Sequence, residues 1–125
     1  MANFLILAVT AGVAAAALGA APSTQAPGDV ARGQAFFNDH CSFCHAFEGM
    51  GAAPSLAGVV GRKAGAVADF SYTPAMKASG LTWTAPQLDK FLVAPQAVVP
   101  GTAMTVAVPN AGDRADVIAY LSSLS

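Results

Sequence analysis

The chain has 125 residues, 10% of them charged, and a formal net charge of -1, so it has room for one small domain and lacks the clustered Lys and Arg of nucleic-acid-binding proteins. Its 54% hydrophobic content excludes a highly charged disordered chain. Its two cysteines are too few for a disulfide-rich scaffold.

The N-terminal segment is apolar and carries no charged side chain before Asp29. We expect residues 1–26 to be an export signal followed by a linker, which places one folded domain, residues 27–125, in the periplasm. The segment has no Lys or Arg ahead of its apolar run, residues 4–21, so an uncleaved membrane anchor is an alternative, because about 18 apolar residues approach the length of a membrane span. A buried core helix is a weaker alternative, since the run has no amphipathic period.

Capping residues and apolar spacing predict helices separated by long loops, with no strand pattern. The first predicted helix begins at Asp29 and runs to Phe37, and the second begins at Thr73-Pro74 and runs to Gly80. The third begins with the Thr84–Gln87 capping box and runs to Leu92. The last helix is marked by an apolar stripe of Val117, Tyr120, Leu121 and Leu124. Residues 46–71 and 95–109 are predicted loops. Loops longer than about 12–15 residues are uncommon in compact domains unless something organises them, and here they favour a buried prosthetic group.

The segment Cys41-Ser42-Phe43-Cys44-His45 matches C-x-x-C-H, the attachment motif of c-type haem. One helical turn separates two thiols by the distance needed to add to both vinyl groups of one haem, and the following His45 directs its imidazole to the iron. Three alternatives use the same cysteines: a thioredoxin-like dithiol, which needs a βαβ context, a zinc site, which needs a fourth ligand, and a structural disulfide.

A second axial ligand would complete the coordination of iron in an electron carrier, and a His/Met pair raises its reduction potential. Met1 lies in the N-terminal segment, and Met50 follows His45 so closely that it stays on the same side. Met76 falls in a predicted helix, where packing is the simpler interpretation. Met104 follows a rigid Pro-Gly turn far along the chain, so spacing favours it as the ligand from the other side.

Several separate motifs follow one another between residues 29 and 125. They are Gly33 and Phe37, Cys41–His45, Pro54-x-Leu56-x-Gly58, Gly61-Arg62-Lys63-x-Gly65, Phe70-x-Tyr72-Thr73, Gly80–Trp83, Pro100-Gly101-Thr102-x-Met104 and Ile118–Leu121. In this order they resemble the class I c-type cytochromes, close to mitochondrial cytochrome c and its bacterial photosynthetic-type relatives. The resemblance implies an all-α cytochrome c fold, with short helices and long loops around one covalently bound haem c.

The resemblance also implies residue roles. Cys41 and Cys44 would form the haem thioethers, and His45 and Met104 would be the axial iron ligands. The Pro54 carbonyl would accept a hydrogen bond from His45. Other implied roles are the propionate contacts Arg62, Tyr72 and Trp83, the helix crossing Gly33, Phe37, Tyr120 and Leu121, and the pocket lining Leu56, Leu88, Leu92 and Val117. Without the resemblance, core packing or a solvated surface position is the simpler interpretation of the three propionate residues.

Two residues depart from the family near the implied sixth ligand. Phe91 stands where many members have a Tyr that donates to the Met sulfur, and Met76 stands where members have an Asn that helps hold a buried water. Both changes make this side of the pocket drier. We therefore expect pH-dependent loss of Met104 to be suppressed in this chain.

The implied function is that of a one-electron carrier, not an enzyme, because both axial positions of the iron are filled. As a periplasmic monomer it would shuttle electrons between respiratory or photosynthetic partners, such as a membrane-bound cytochrome complex, an oxidase, a reductase or a dehydrogenase. The alternatives are a membrane-anchored or complex-bound electron-transfer subunit and a ligand-binding haem protein with an open iron position.

The lysine ring of mitochondrial members is reduced here to Lys63, Lys77 and Lys90. An apolar docking rim is expected instead, for which the candidates are Val98, Val99, Ala103, Val106 and Val108, although core packing explains about half of them equally well. Such a rim predicts weak electrostatic steering of the partner and little dependence of the rate on salt.

Overall fold

The structure, a computed structural model, describes residues 27–46 and 51–124 together with Gly12 and Gly19. The expected export segment, residues 1–26, therefore lies outside the described residues apart from those two glycines, and Met50 lies outside them as well. Within the described part, no helix is both long enough and apolar enough to span a membrane.

The described residues form short helices and no strand, as expected for the all-α cytochrome c fold. The helices are α1 Val30–His40, α2 Pro74–Ala78, α3 Ala85–Val93, α4 Pro95–Val98 and α5 Ala111–Ser122. The prediction of a loop over residues 95–109 is wrong at its start, because Pro95–Val98 form the short helix α4. Pro95 occupies the first helical position, where its missing N–H removes no helical hydrogen bond.

The helix starts follow from side-chain caps that the sequence displays. Asp29, Thr73 and Thr84 each accept a hydrogen bond from the backbone N–H three residues further on, at 2.8–3.2 Å. The capping box at Thr84 is only half formed, because its own N–H donates to the Thr82 carbonyl at 2.8 Å and not to Gln87. One side-chain bond is therefore enough to begin α3.

Helices α1 and α5 cross at Gly33. A Cβ at this position would collide with the Asp116 carbonyl and approach the Tyr120 side chain. Beside the crossing, the rings of Phe37 and Tyr120 pack with centroids 5.5 Å apart, and Leu121 joins them in the core. The predicted helix crossing is confirmed, and its closeness depends on the missing side chain of Gly33.

An ion pair holds the start of α1 against α5. Arg32 donates from Nε to Asp116 Oδ2 at 2.9 Å, and the Asp29 backbone N–H donates to Asp116 Oδ1 at 2.7 Å. The hydrogen bond from Arg32 is the largest cause that holds the pKa of Asp116 below its usual range, and the hydrogen bond from the Asp29 backbone is the next largest. The carboxylate is therefore stabilised in its charged form in the folded protein.

A buried arginine, Arg114, joins α5, α3 and the loop between α4 and α5. Arg114 donates from Nε to Asp89 at 2.8 Å and from its NH1 group to the Val108 and Pro109 carbonyls at 3.0 and 2.8 Å. The Val108 N–H in turn donates to the Leu92 carbonyl at 2.7 Å. These bonds fold the loop back onto α3.

The prediction that these valines and Ala103 form an exposed apolar docking rim is wrong for some of the residues. Val99 and Val108 are buried in the hydrophobic core, and Val98 packs against it. The cause is the fold-back of the loop, which turns Val108 inward beside α3. Ala103 and Val106 are exposed, so only these two of the expected rim residues face solvent.

We expect Gly33→Ala to lower the free energy of unfolding by about 1–3 kcal/mol, because the new methyl group meets a backbone carbonyl and forces α1 and α5 apart. Guanidinium denaturation of the haem-containing protein measures the change. The control is Gln34→Ala, at an exposed neighbouring position, which should stay within about 0.5 kcal/mol of wild type. Equal stability of the Gly33→Ala variant and wild type would refute the close crossing.

We expect Asp116→Asn to lower the free energy of unfolding at pH 7. In acid, the variant and wild type should have the same free energy of unfolding. Because the folded-state pKa of Asp116 is lowered, its stabilisation is present above the ordinary Asp pKa of about 3.9 and disappears as the pH falls through the lowered value. Denaturation midpoints at pH 7 and below pH 3 measure the difference. Asp69→Asn, at an exposed loop position, is the control and should show no such convergence with wild type. A constant gap across this range contradicts the prediction.

Candidate haem-binding site

A cavity of about 470 Å³ lies between the helices and the long loops. All of the site residues that the sequence suggested line it: Cys41, Cys44, His45, Pro54, Arg62, Tyr72, Met76, Trp83, Phe91 and Met104. Its further walls include the expected pocket residues Leu56, Leu88, Leu92 and Val117. Residues from α1, α2, α3, α5 and the loops between them thus meet at one mostly apolar cavity.

The two cysteines and His45 share one turn that continues from the end of α1. The N–H groups of Cys44 and His45 both donate to the Cys41 carbonyl, at 3.2 and 2.9 Å. Cys41 is half-buried, Cys44 is exposed, and both are free thiols, so the structure does not contain the disulfide that was one of the alternatives. Burial, with a smaller contribution from Cys44, raises the pKa of the Cys41 thiol to about 11.

A zinc site and a thioredoxin-like dithiol at these cysteines both lack what they require. The described residues contain no group of three or more His, Cys, Asp or Glu side chains that converges as a metal site does. They contain no strand, and so none of the βαβ context of a thioredoxin-like dithiol.

His45 is fixed by a backbone carbonyl. Its Nδ1 lies 2.8 Å from the Pro54 oxygen, and because a carbonyl only accepts, Nδ1 carries the proton and Nε2 keeps its lone pair. Burial lowers the pKa of His45 and so favours the neutral ring, and the hydrogen bond to Pro54 opposes part of this effect. The segment before Pro54 is held by the Ala53 N–H, which donates to the Cys44 carbonyl at 3.1 Å. A neutral imidazole with a free Nε2 is the form that binds a metal ion.

Met104 is delivered by a tight turn. The Thr102 N–H donates to the Val99 carbonyl at 3.0 Å across Pro100 and Gly101, and Gly101 has a φ of +93°. This is the pattern of a type II turn, which requires glycine at its third position. The Met104 N–H then donates to Thr102 Oγ1 at 3.3 Å. The sequence analysis did not identify Thr102 as a site residue. The available signal was the Thr side chain itself, because a Thr hydroxyl can accept a hydrogen bond from the backbone N–H two residues further on.

Arg62 and Trp83 are placed side by side by backbone pairing. The Gly61 N–H donates to the Trp83 carbonyl, and the Trp83 N–H donates to the Arg62 carbonyl, both at 2.8 Å. The Arg62 guanidinium donates to the carbonyls of Ser55 and Ala57, at 2.9 and 3.1 Å. Further N–H groups of the guanidinium remain available, because it has five donors.

Tyr72 and Trp83 offer additional donors at the cavity. The Tyr72 hydroxyl accepts from the Val67 N–H at 3.1 Å, which leaves its own O–H free to donate, and its ring meets Phe70 edge-on at 4.9 Å. No described residue accepts a hydrogen bond from the Trp83 indole N–H. Together with Arg62, these donors fit an anionic group such as a carboxylate.

The remaining wall is apolar. Phe91 is buried and packs on Trp83 with ring centroids 4.9 Å apart. Met76, Phe91 and Leu92 line the cavity without contributing a hydroxyl, amide or charge. The cavity therefore combines two thiols on one turn, a neutral imidazole, a thioether and anion-binding donors with apolar walls. This donor set fits haem attached through thioethers and defines a covalent haem-binding protein.

Comparison with known proteins gives the same class. A Cytochrome c family model matches residues 30–125. The cytochrome c of Tetrahymena pyriformis is 50% identical over 99 residues, which cover 78% of this chain and 90% of the relative. A cytochrome c2 of Rhodomicrobium vannielii is 45% identical over 122 residues, covering 93% of this chain and 95% of the relative.

Among solved structures, the cytochrome cH from Methylobacterium extorquens matches with a TM-score of 0.73 and 43% sequence identity, covering 77% of this chain and 99% of that one. The chain therefore belongs to the cytochrome c family. It is a monohaem electron carrier, with one covalently bound haem c.

Proposed function

We propose that the chain works as a periplasmic one-electron shuttle between respiratory or photosynthetic redox proteins, such as a membrane-bound cytochrome complex, an oxidase, a reductase or a dehydrogenase. The observation that carries the proposal is the meeting of His45 and Met104 at one cavity whose walls are mostly apolar. When bound, the haem supplies an iron that changes between its ferrous and ferric states. Two protein ligands leave no open position for a substrate, so the protein transfers electrons and does not act as an enzyme.

On this proposal, Cys41 and Cys44 hold the group through thioether bonds. His45 binds the iron through Nε2, and the hydrogen bond from its Nδ1 to the Pro54 carbonyl fixes the ring and makes it a stronger ligand. Met104, which lines the same cavity, would supply its sulfur as the other ligand. The type II turn before Met104 restricts the backbone there and reduces the conformational entropy lost on binding.

Arg62, Tyr72 and Trp83 are proposed to bind the propionates. Each has at least one donor left after its contacts with described residues, and Arg62 adds a positive charge that offsets the negative charge of a carboxylate. The proposal also accounts for the position of Trp83, whose backbone is tied to that of Arg62. A purely structural tryptophan would not need a free indole N–H at the cavity.

We propose that residues 1–26 direct export and that residues 27–125 form the monohaem cytochrome c domain, which acts as a monomer. The uncharged apolar run supports this, as does the Rhodomicrobium relative, whose alignment covers 93% of the chain and so extends beyond residues 27–125. An anchored protein, held through residues 4–21 or within a complex, is the alternative. Mass spectrometry of the native N-terminus distinguishes them, because an intact N-terminus in the membrane fraction would support the anchor.

The absorption spectrum and redox titration of the exported protein test the proposed ligands. We expect Met104→Leu to remove the red-region Fe–S charge-transfer band of the ferric protein. We also expect it to lower the reduction potential by a substantial part of the roughly 0.8 V range that axial ligands span. The matched controls are Met76→Leu, at the second thioether of the cavity, and Met50→Leu, and both should keep the band. Loss of the band in a control instead of in Met104→Leu would reassign the ligand. A wild-type protein that lacks the band and binds CO rapidly would favour a ligand-binding haem protein.

The dry wall at Phe91 predicts that pH-dependent loss of Met104 is suppressed in this chain. Phe91→Tyr should lower the pH midpoint of this loss by about one unit, because a new hydroxyl adds roughly one hydrogen bond that a protein with a displaced Met104 can use. The midpoint is read from the disappearance of the charge-transfer band. Phe70→Tyr, which places the same hydroxyl elsewhere on the cavity wall, is the control and should leave the midpoint unchanged. A wild-type midpoint below that of Phe91→Tyr would refute the prediction.

A further inference from the structure

The loop that carries Met104 is held at its two ends. At the first end, the Thr102 N–H donates to the Val99 carbonyl. At the second end, the N–H of the buried Val108 donates to the Leu92 carbonyl at 2.7 Å. Between Thr102 and Val108, the one hydrogen bond made with described residues is that from the Met104 N–H to Thr102 Oγ1. The position of Met104 therefore depends on how firmly the two ends are fixed.

Arg114 supplies the other bonds at the second end. Its NH1 group donates to the Val108 and Pro109 carbonyls at 3.0 and 2.8 Å, and its Nε donates to Asp89 at 2.8 Å. The Arg114 side chain is 11% exposed, so water has little access to these bonds and they are strong. Both backbone polar groups of the buried Val108 are thus paired, its N–H with α3 and its carbonyl with α5.

Asp89 fixes the direction of the Arg114 side chain. It lies on α3, the helix whose Leu88 and Leu92 line the haem cavity. The guanidinium is planar and presents its donors in a fixed fork, so an ion pair at Nε determines where NH1 points. The pair therefore ties the end of the Met104 loop to the same helix that forms a wall of the site.

We infer that Arg114 is a positioning residue for the haem ligand Met104, and that the ion pair with Asp89 keeps Arg114 in place. The inference rests on the proposed ligation of the iron by Met104. If Arg114 lost its bonds to the loop, the buried Val108 carbonyl would lack a partner, and states in which the loop has moved away would become more populated. The ion pair thereby limits the access of outside ligands to the metal.

The test is an equilibrium titration of the ferric, haem-containing protein with imidazole, which binds the iron where Met104 has left it. The apparent dissociation constant of imidazole therefore falls as the fraction of such molecules rises. We expect Arg114→Lys to lower this constant about tenfold or more, because a single ammonium group cannot reproduce the bonds of the planar fork.

Asp89→Asn is the second variant. It keeps Arg114 but weakens the ion pair that directs it, so the constant should fall by a smaller factor. If Arg114→Lys does not fold, Asp89→Asn decides the inference alone, and a constant equal to that of wild type would overturn it.

A double variant shows whether the effect passes through Met104. Because Met104→Leu already lacks the ligand, adding Arg114→Lys to it should leave the imidazole constant unchanged. A role of Arg114 in overall stability alone would not give this dependence on Met104.

Arg32→Lys is the matched control. Arg32 also donates from Nε to an aspartate, Asp116, at 2.9 Å. Its ion-pair partners among the described residues, Asp29 and Asp116, lie outside the Met104 loop. The variant should bind imidazole with the wild-type constant, even where guanidinium denaturation shows that it has lost stability.

Three outcomes would overturn the inference and leave the proposed function intact. They are equal imidazole constants for Arg114→Lys and wild type, an equal fall in Arg32→Lys, and a full effect of Arg114→Lys in the Met104→Leu background. In each case wild type still shows its Fe–S charge-transfer band. A wild-type protein without that band would exclude ligation by Met104, and the inference would fail together with the proposed ligand.

Discussion

The close crossing of α1 over α5 at Gly33 is the contact on which the geometry of the site depends. It brings the end of α1 to a fixed place beside α5, and the turn that carries Cys41 continues directly from that end. Helix α5 presents Val117 and Leu121 to the same cavity. If the helices separated, the attachment turn would move relative to the opposite wall of the cavity, and the thiols would no longer face the same space as the other donors.

The polar residues of the site are each held by one or a few hydrogen bonds, because they lie outside the helices. His45 is oriented by one carbonyl, Met104 by a turn and one threonine hydroxyl, and Trp83 by backbone pairing with Arg62. Each bond fixes one donor of the cavity. In a chain of this size the long loops contribute little core of their own, so a bound prosthetic group adds apolar contacts that the loops lack and stabilises the folded state by mass action.

The sequence predicted the features that depend on local chemistry. Helix caps such as Asp29 and Thr84, the turn before Met104 and the spacing of the cysteines are decided within a few residues, and each is found where expected. Features decided by tertiary contacts were not predictable in the same way. The burial of Val108 depends on its N–H reaching Leu92 across the loop, which spacing alone does not reveal. The exposure of Phe43 is likewise not visible in the spacing of the sequence.

The burial of Cys41 has a consequence for the reactivity of its thiol. The thiolate is the nucleophilic form of cysteine, and a thiol whose pKa is raised to about 11 is almost fully protonated at neutral pH. A chain that completed its fold first would present Cys41 to the haem vinyl group in its least reactive form, while Cys44 stayed exposed. The folded arrangement therefore keeps the Cys41 thiol protonated, whereas an open chain would expose the same thiol to water and return its pKa toward the ordinary value.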